Sequence, residues 1–369
     1  MTQNILTPSA LLGLPAYPAT AYAPLADRFK ALLKTKNDVV FVQAEAIVAL
    51  EASAASLGRQ GMVALNIVTS PYGKYYGEWL RRAGAEVHDL LADEGRPIRM
   101  EAVAEAIAGM PKLDLVAVVH AETSTGILNP LEAIAREVHK RKALLVVDAV
   151  ASMGGHELDV DALGIDLCVI GPQKALGGPA GLSIVSVSPR AWAAMLQADK
   201  PSPSTLNLLD LKTGWLDKGR GAVPGMPSAQ EFWAAEAALQ RVEQEGLAAV
   251  IKRHRLSAKA TRVGLEALGV NVWVKNEGES STLVSTFQVP ANVDAQAIID
   301  NATAHGAVVL PAHGSPGARL LRIDHTGARA TFAPALANVF GVGIALQSLG
   351  IDVKIGAAAE AFSRDFAAG

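Results

Sequence analysis

Hydrophobic and polar positions along the chain alternate between two periods. Short apolar, β-branched runs at Val39–Val42, Val63–Val68, Leu113–His120, Ala143–Val147, Asp166–Ile170 and Leu182–Val187 predict strands. Between them, apolar residues at helical spacing predict helices near Leu25–Lys34 and over Ala46–Arg59, Tyr76–Ala83, Pro97–Gly109 and Pro130–Arg141. The central strand runs are apolar throughout, as parallel strands covered on both faces are. Alternating βα units of this kind predict an α/β fold with an open, doubly wound, mostly parallel sheet. Chemistry in such sheets sits beyond the carboxyl ends of the strands.

A Gly/Pro-rich stretch, Gly219–Ser228, and a long helix near Ala229–Gly246 separate this region from a second one. There, shorter strands at Leu283–Val289, Ala307–Leu310 and Leu320–Ile323 alternate with helices and end in the helix Ala333–Leu349. The expected division is a large domain over residues 1–240 and a small C-terminal α+β domain over 241–369. The length of 369 residues supports two domains, because single cores stop growing at about 250–300 residues.

Half of the residues are hydrophobic and 19% are charged, which excludes an intrinsically disordered chain. The net charge is −3, with no basic excess to neutralise phosphates, so no nucleic-acid partner is expected. The single cysteine, Cys168, excludes an internal disulfide framework and a cysteine-built metal cage, and its apolar neighbours predict a buried thiol. The first residues show no signal peptide, and no apolar run approaches the ~20 residues that span a bilayer. A soluble, cytoplasmic protein is the expectation.

Several reaction classes lack their signatures. There is no phosphate-binding P-loop, no Gly-x-Gly-x-x-Gly after the first strand, no His-Glu-x-x-His and no Gly-x-Ser-x-Gly. Instead, polar residues close three buried strands. Asp148 follows Ala143–Val147, Lys174 follows the run ending at Ile170, and His120-Ala121-Glu122-Thr123-Ser124-Thr125-Gly126 follows Leu115–Val119. A carboxylate and an ammonium at such strand ends are costly to bury unless they are paired or bound to a ligand. Two readings stand: a structural ion pair, or a Schiff-base lysine with an aspartate that keeps a pyridine nitrogen protonated, as pyridoxal chemistry requires.

The stretch from His120 to Ser188 resembles the class V aminotransferases of fold type I, the alanine–glyoxylate and serine–pyruvate type. The resemblance rests on His120–Gly126, Val147-Asp148-Ala149-Val150-Ala151-Ser152 and Gly171-Pro172-Gln173-Lys174-Ala175-Leu176, in family order, with weaker similarity from about Val39 to Ser348. It implies that Lys174 forms the Schiff base and shuttles the α-proton, and that Asp148 pairs with the pyridine nitrogen. It also implies that Val150 packs on one ring face, that Tyr72 stacks on the ring, and that Thr123 bonds the phenolic oxygen. Arg322 matches the arginine that clamps the substrate carboxylate; its competing reading is a surface salt bridge. The family further implies a homodimer with active sites at the subunit interface.

This sequence departs from the common family pattern in places. The glycine-proline motif that opens most members is not recognisable in Leu6-Thr7-Pro8-Ser9. Where ordinary members place a hydroxyl and a glycine for the cofactor phosphate, this chain has Glu45-Ala46-Ile47, and Val223-Pro224-Gly225-Met226 offers no hydroxyl either. A carboxylate at that place resembles the pyridoxamine–pyruvate branch, which takes unphosphorylated pyridoxamine as a substrate. Glu45, Ala46 and Gln173 therefore join the residues expected to hold the pyridoxal-type ligand, unless Glu45 turns outward to solvent or to an arginine. The branch has a second substrate arginine, and His313 stands in its place here. The expected reaction moves an amino group between pyridoxamine and a small 2-oxo acid such as pyruvate. Two alternatives remain open: a conventional pyridoxal-phosphate aminotransferase, and a non-catalytic vitamin-binding protein on the same fold.

Overall fold

The computed structural model describes residues 13–198, 200–312 and 319–369. In chain order, the first half comprises α1 (Tyr22–Leu32), β1 (Asp38–Val42), α2 (Ala46–Leu57), β2 (Val63–Val68), α3 (Pro71–Arg82), β3 (Glu86–Leu91), α4 (Met100–Gly109), β4 (Leu115–Val119), α5 (Leu131–Lys140) and β5 (Leu144–Asp148). Then come β6 (Leu167–Ile170), β7 (Ser183–Val187), α6 (Pro189–Leu196), α7 (Leu208–Leu211), α8 (Ala229–Glu245) and α9 (Leu247–Ala267). The chain closes with β8 (Val284–Gln288), α10 (Ala295–Ala304), β9 (Val309–Pro311), β10 (Leu320–Asp324), α11 (Phe332–Ser348) and α12 (Ile355–Ala368).

Seven strands form one sheet in the order β1-β7-β6-β5-β4-β2-β3. The pairs from β3 through β6 are parallel, and β7 runs antiparallel to both β6 and β1. After β2 the chain steps outward to β3, whereas β4 returns to the other side of β2 and leads on to β5. That reversal opens a crevice outside the carboxyl ends of β2 and β4, where ligands bind in such sheets. Because β6 and β7 are antiparallel neighbours, the segment 171–182 must turn back at this same edge. The turn carries Lys174.

The second sheet has three antiparallel strands, with β10 between β8 and β9. One buried hydrophobic cluster extends from Tyr17 to Val250 and a second from Ala260 to Phe362, so α9 contributes to both. None of the described helices is long and apolar enough to cross a membrane.

The sequence expectations need correction at four places. Helix α3 begins at Pro71 rather than Tyr76: Ser70 caps it by accepting from the Tyr72 N–H at 3.1 Å, and Pro71 occupies the first turn. Strand β3, paired only with β2 at the sheet edge and largely exposed, lacks the apolar run used to find the others. Strand β9 lies at Val309–Pro311 instead of Ala307–Leu310. The chain does not end in the helix at 333–349, because α12 follows and buries Ala358 and Phe362 in the second cluster.

Candidate active site

The turn after β1 delivers Glu45 to the capping position just before α2. Glutamate is not among the side chains that most often cap helices. Here it does so, accepting from the Ile47 N–H through Oε2 at 2.9 Å. Its other oxygen, Oε1, accepts from Gln173 Nε2 at 2.8 Å. An anion at a helix N-terminus is favoured by the free N–H groups and the partial positive charge there. The carboxylate of Glu45 thus takes a place that a ligand anion would otherwise fill.

Asp148 closes β5, and its Oδ1 accepts from the Val150 N–H at 2.9 Å. Burial pushes its carboxyl up to about 6, against the downward pull of that N–H and of Lys174. Lys174 projects from the turn after β6. Burial lowers its ammonium below the usual lysine range, and the Asp324 carboxylate opposes this more than any other charge. Burial thus works toward the neutral amine, the nucleophilic form.

Tyr72 comes from the first turn of α3 and Thr123 from the turn after β4. These two, with Glu45, Ala46, Asp148, Val150 and Lys174, line one cleft. Gln173 reaches the cleft wall through its bond to Glu45. Arg322, on β10, stands at the margin: Nη1 donates to the Thr123 carbonyl at 2.8 Å and Nε lies 3.0 Å from Asp324 Oδ1. Arg322 is therefore paired within the site and is not in a surface salt bridge. His313 and Leu6–Ser9 lie outside the described residues.

Two further carboxyls belong to this neighbourhood. Glu122 is fully buried in the cleft wall and accepts from Thr69 Oγ1 at 2.7 Å; Thr69 in turn accepts from Asn129 Nδ2 at 2.9 Å. Burial raises the Glu122 carboxyl to about 7. Asp324 is the other. The motif after β4 contains Glu122, but its partner Thr69 lies on another loop. The two-residue spacing of Arg322 and Asp324 on one strand was a usable signal, since it puts both side chains on one face.

A buried amine, a strand-end carboxylate and a hydroxyl around a flat cleft are the donor set that a pyridoxal-type ring requires. The family model for class V aminotransferases matches residues 18–335. The chain belongs to the class V aminotransferase family. This aminotransferase is 34% identical to the pyridoxamine–pyruvate transaminase of Mesorhizobium japonicum, over 92% of this chain and 86% of that one. It is 32% identical to the alanine–glyoxylate aminotransferase of Drosophila melanogaster, over 72% and 68% of the two chains. The crystal structure of the pyridoxamine–pyruvate aminotransferase from Mesorhizobium loti superposes with a TM-score of 0.91 at 31% identity, covering 98% of this chain and 94% of that one. The fold is accordingly that of the fold type I aminotransferases.

Proposed function

We propose that this class V aminotransferase moves an amino group between pyridoxamine and a small 2-oxo acid such as pyruvate, and that its ligand is the free vitamin rather than the phosphate ester. The relatives named above support the reaction. The observation that carries the choice of ligand is Glu45, whose two carboxylate oxygens are held by the Ile47 N–H and by Gln173 at the N-terminus of α2. A phosphate there would lose the Ile47 N–H as a donor and would meet a negative charge. Two unit charges 4 Å apart interact by about 4 kcal/mol at an effective dielectric near 20. Glu45 is exposed, and solvent screening reduces this to roughly 1.4–2.8 kcal/mol, a ten- to hundredfold discrimination. The uncharged hydroxymethyl group of pyridoxamine donates a hydrogen bond to the same carboxylate instead.

The remaining roles are those that the family implies for the residues lining the cleft. Lys174 supplies the amine that forms the Schiff base and carries the α-proton. Asp148 faces the ring nitrogen, and a cationic partner there would bring its carboxyl back down. Thr123 would offer its hydroxyl to the phenolic oxygen, Tyr72 and Val150 would cover the two ring faces, and Ala46 and Gln173 frame Glu45. Arg322 offers its guanidinium to the substrate carboxylate, which it suits by binding bidentately. When bound, the pyridine ring provides the electron sink for the charge left as the α-proton departs.

We further propose a homodimer with the sites at the interface. The loop 223–228, where Met226 is 96% exposed and Pro224 accepts from Gln43 Nε2 at 3.2 Å, lies close to Glu45 in the chain's own fold and is suited to such a contact.

Dissociation constants of pyridoxal and pyridoxal phosphate, measured for the wild type and for Glu45→Ser, test the choice of ligand. The wild type is expected to prefer pyridoxal, and the variant to shift toward the phosphate by tenfold or more. A wild type that binds pyridoxal phosphate more tightly than pyridoxal overturns the reading in favour of a conventional aminotransferase.

A further inference from the structure

Arg322 and Asp324 lie two residues apart on β10, so their side chains leave the same face of the strand. The backbone that carries them is fixed. Arg322 pairs with Thr286 of β8 on one side and Leu310 of β9 on the other, Asp324 pairs with Val284, and the His325 N–H donates to the Leu283 carbonyl at 2.6 Å. The end of the strand is also docked on the loop of the Schiff-base lysine. A Cβ added at Gly327 would lie 3.0 Å from the Gly177 Cα and 3.6 Å from the Lys174 carbonyl oxygen.

Within this frame both side chains are largely buried, at 17% and 14% exposure, and Asp324 Oδ1 lies 3.0 Å from Arg322 Nε. Neither atom has an aligned hydrogen-bond partner among the described residues, so charge holds the contact. A guanidinium has five N–H donors. Asp324 occupies the Nε side and the Thr123 carbonyl takes one Nη1 donor. What is left for a ligand is the Nη1–Nη2 end. Asp324 is also the carboxylate with the strongest pull on the Lys174 ammonium, and so acts on both cations of the site.

We infer that Asp324 is a positioning residue for the 2-oxo acid: it holds the Nε side of Arg322 so that the Nη1–Nη2 end is the edge offered to the substrate carboxylate. The inference rests on the assignment of Arg322 to that carboxylate under the proposed function. Without Asp324 the long arginine side chain would keep one anchor, the Thr123 carbonyl, and could swing about it. A substrate carboxylate would then have to order the guanidinium as it binds, and this cost falls on binding. The residues assigned to the pyridoxal-type ring, Asp148 among them, share none of the hydrogen bonds or ion pairs given above with Asp324, so the loss falls first on the substrate carboxylate.

The test is a steady-state comparison of wild type, Asp324→Ala, Asp324→Asn, Arg322→Lys and the double variant Arg322→Lys/Asp324→Ala, with pyridoxamine and pyruvate. It is paired with the dissociation constant of pyridoxal, read from its absorbance. Asp324→Ala is expected to raise the KM for pyruvate about tenfold, a larger effect than its changes in kcat and in pyridoxal binding, which it reaches only through the charge it presents to Lys174. Asp324→Asn, which keeps the shape but removes the charge that holds the contact, should raise the same KM by a comparable factor. Arg322→Lys should raise the same KM, and the double variant should be no worse than Arg322→Lys alone. If Arg322→Lys raises KM while Asp324→Ala does not, the role of Asp324 is refuted and that of Arg322 stands. If Arg322→Lys leaves KM unchanged, the assignment of Arg322 fails and takes the inference with it. A fall in kcat and a weakening of pyridoxal binding as large as the rise in KM would make Asp324 structural and refute the proposal. Should Asp324→Ala not fold, Asp324→Ser, which cannot reach Nε, replaces it with the same expected rise in KM.

Discussion

Gln173 donates from Nε2 to Glu45 Oε1 at 2.8 Å, joining two loops 128 residues apart in the chain. The contact ties the residue just before the Schiff-base lysine to the N-terminus of α2. Because the Ile47 N–H holds the other oxygen, the exposed carboxylate of Glu45 is anchored at both oxygens on the wall of the cleft.

Gln173→Ala removes that anchor and leaves the charge of Glu45 in place. Pyridoxal binding should weaken by about fivefold, the order of one hydrogen bond to a charged group on an exposed side chain. The preference for pyridoxal over its phosphate should keep its direction. Titration of both ligands into the variant checks this. A reversed preference would mean that Gln173 excludes the phosphate by itself, and that Glu45 contributes little.

Lys174→Ala should abolish turnover and the absorbance change that pyridoxal undergoes on binding, since no other amine lines the cleft among the described residues. Borohydride reduction of the wild type with pyridoxal, followed by peptide mass mapping, should put the adduct on Lys174. An adduct on another lysine would move the chemistry elsewhere. Absence of any adduct would favour a vitamin-binding protein without turnover.

The sequence made some of this legible for identifiable reasons. β5 and β6 are buried on both faces, so their apolar runs are continuous, and the polar residues that end them, Asp148 and the nearby Lys174, stand out against them. β3 is half-exposed and pairs on one side only, so its Glu86-Val87-His88-Asp89-Leu90-Leu91 pattern carries little hydrophobic signal. The start of α3 was written in Ser70-Pro71, a cap followed by a proline, and apolar spacing alone hid it. Glu122 was visible only as a letter in a motif. Its burial and its bond to Thr69 depend on a loop 53 residues upstream, and no local pattern encodes that.

Acid stability should depend on histidines that burial keeps neutral. Burial lowers His120 and His254 to about 4 and His325 to about 3, from an ordinary value of 6.5. Below pH 6.5 the unfolded chain binds protons that the folded chain refuses. The histidine contribution is therefore fully present above 6.5 and is lost as pH falls toward 4. Glu122 and Asp148, raised to about 7 and about 6, act in the opposite sense: their contribution is complete below about 4 and is lost as pH rises through those values. A single-site difference isolates one group. His254→Gln keeps a donor for the Val250 carbonyl that His254 Nδ1 contacts at 2.7 Å. Between pH 6.5 and 4.5 the variant should gain roughly 2 kcal/mol relative to the wild type in urea unfolding. Parallel stability curves would show that His254 is not held neutral.

The central claim, that the free vitamin is a substrate, is tested most directly by product counting. Purified protein is incubated with pyridoxamine and pyruvate, with no phosphorylated vitamer added, and pyridoxal and alanine are quantified over time. The account predicts equal amounts of both products, many equivalents per subunit, with the rate unchanged by prior dialysis. Turnover that appears only after pyridoxal phosphate is supplied, or a protein that purifies with that compound tightly bound, would contradict it.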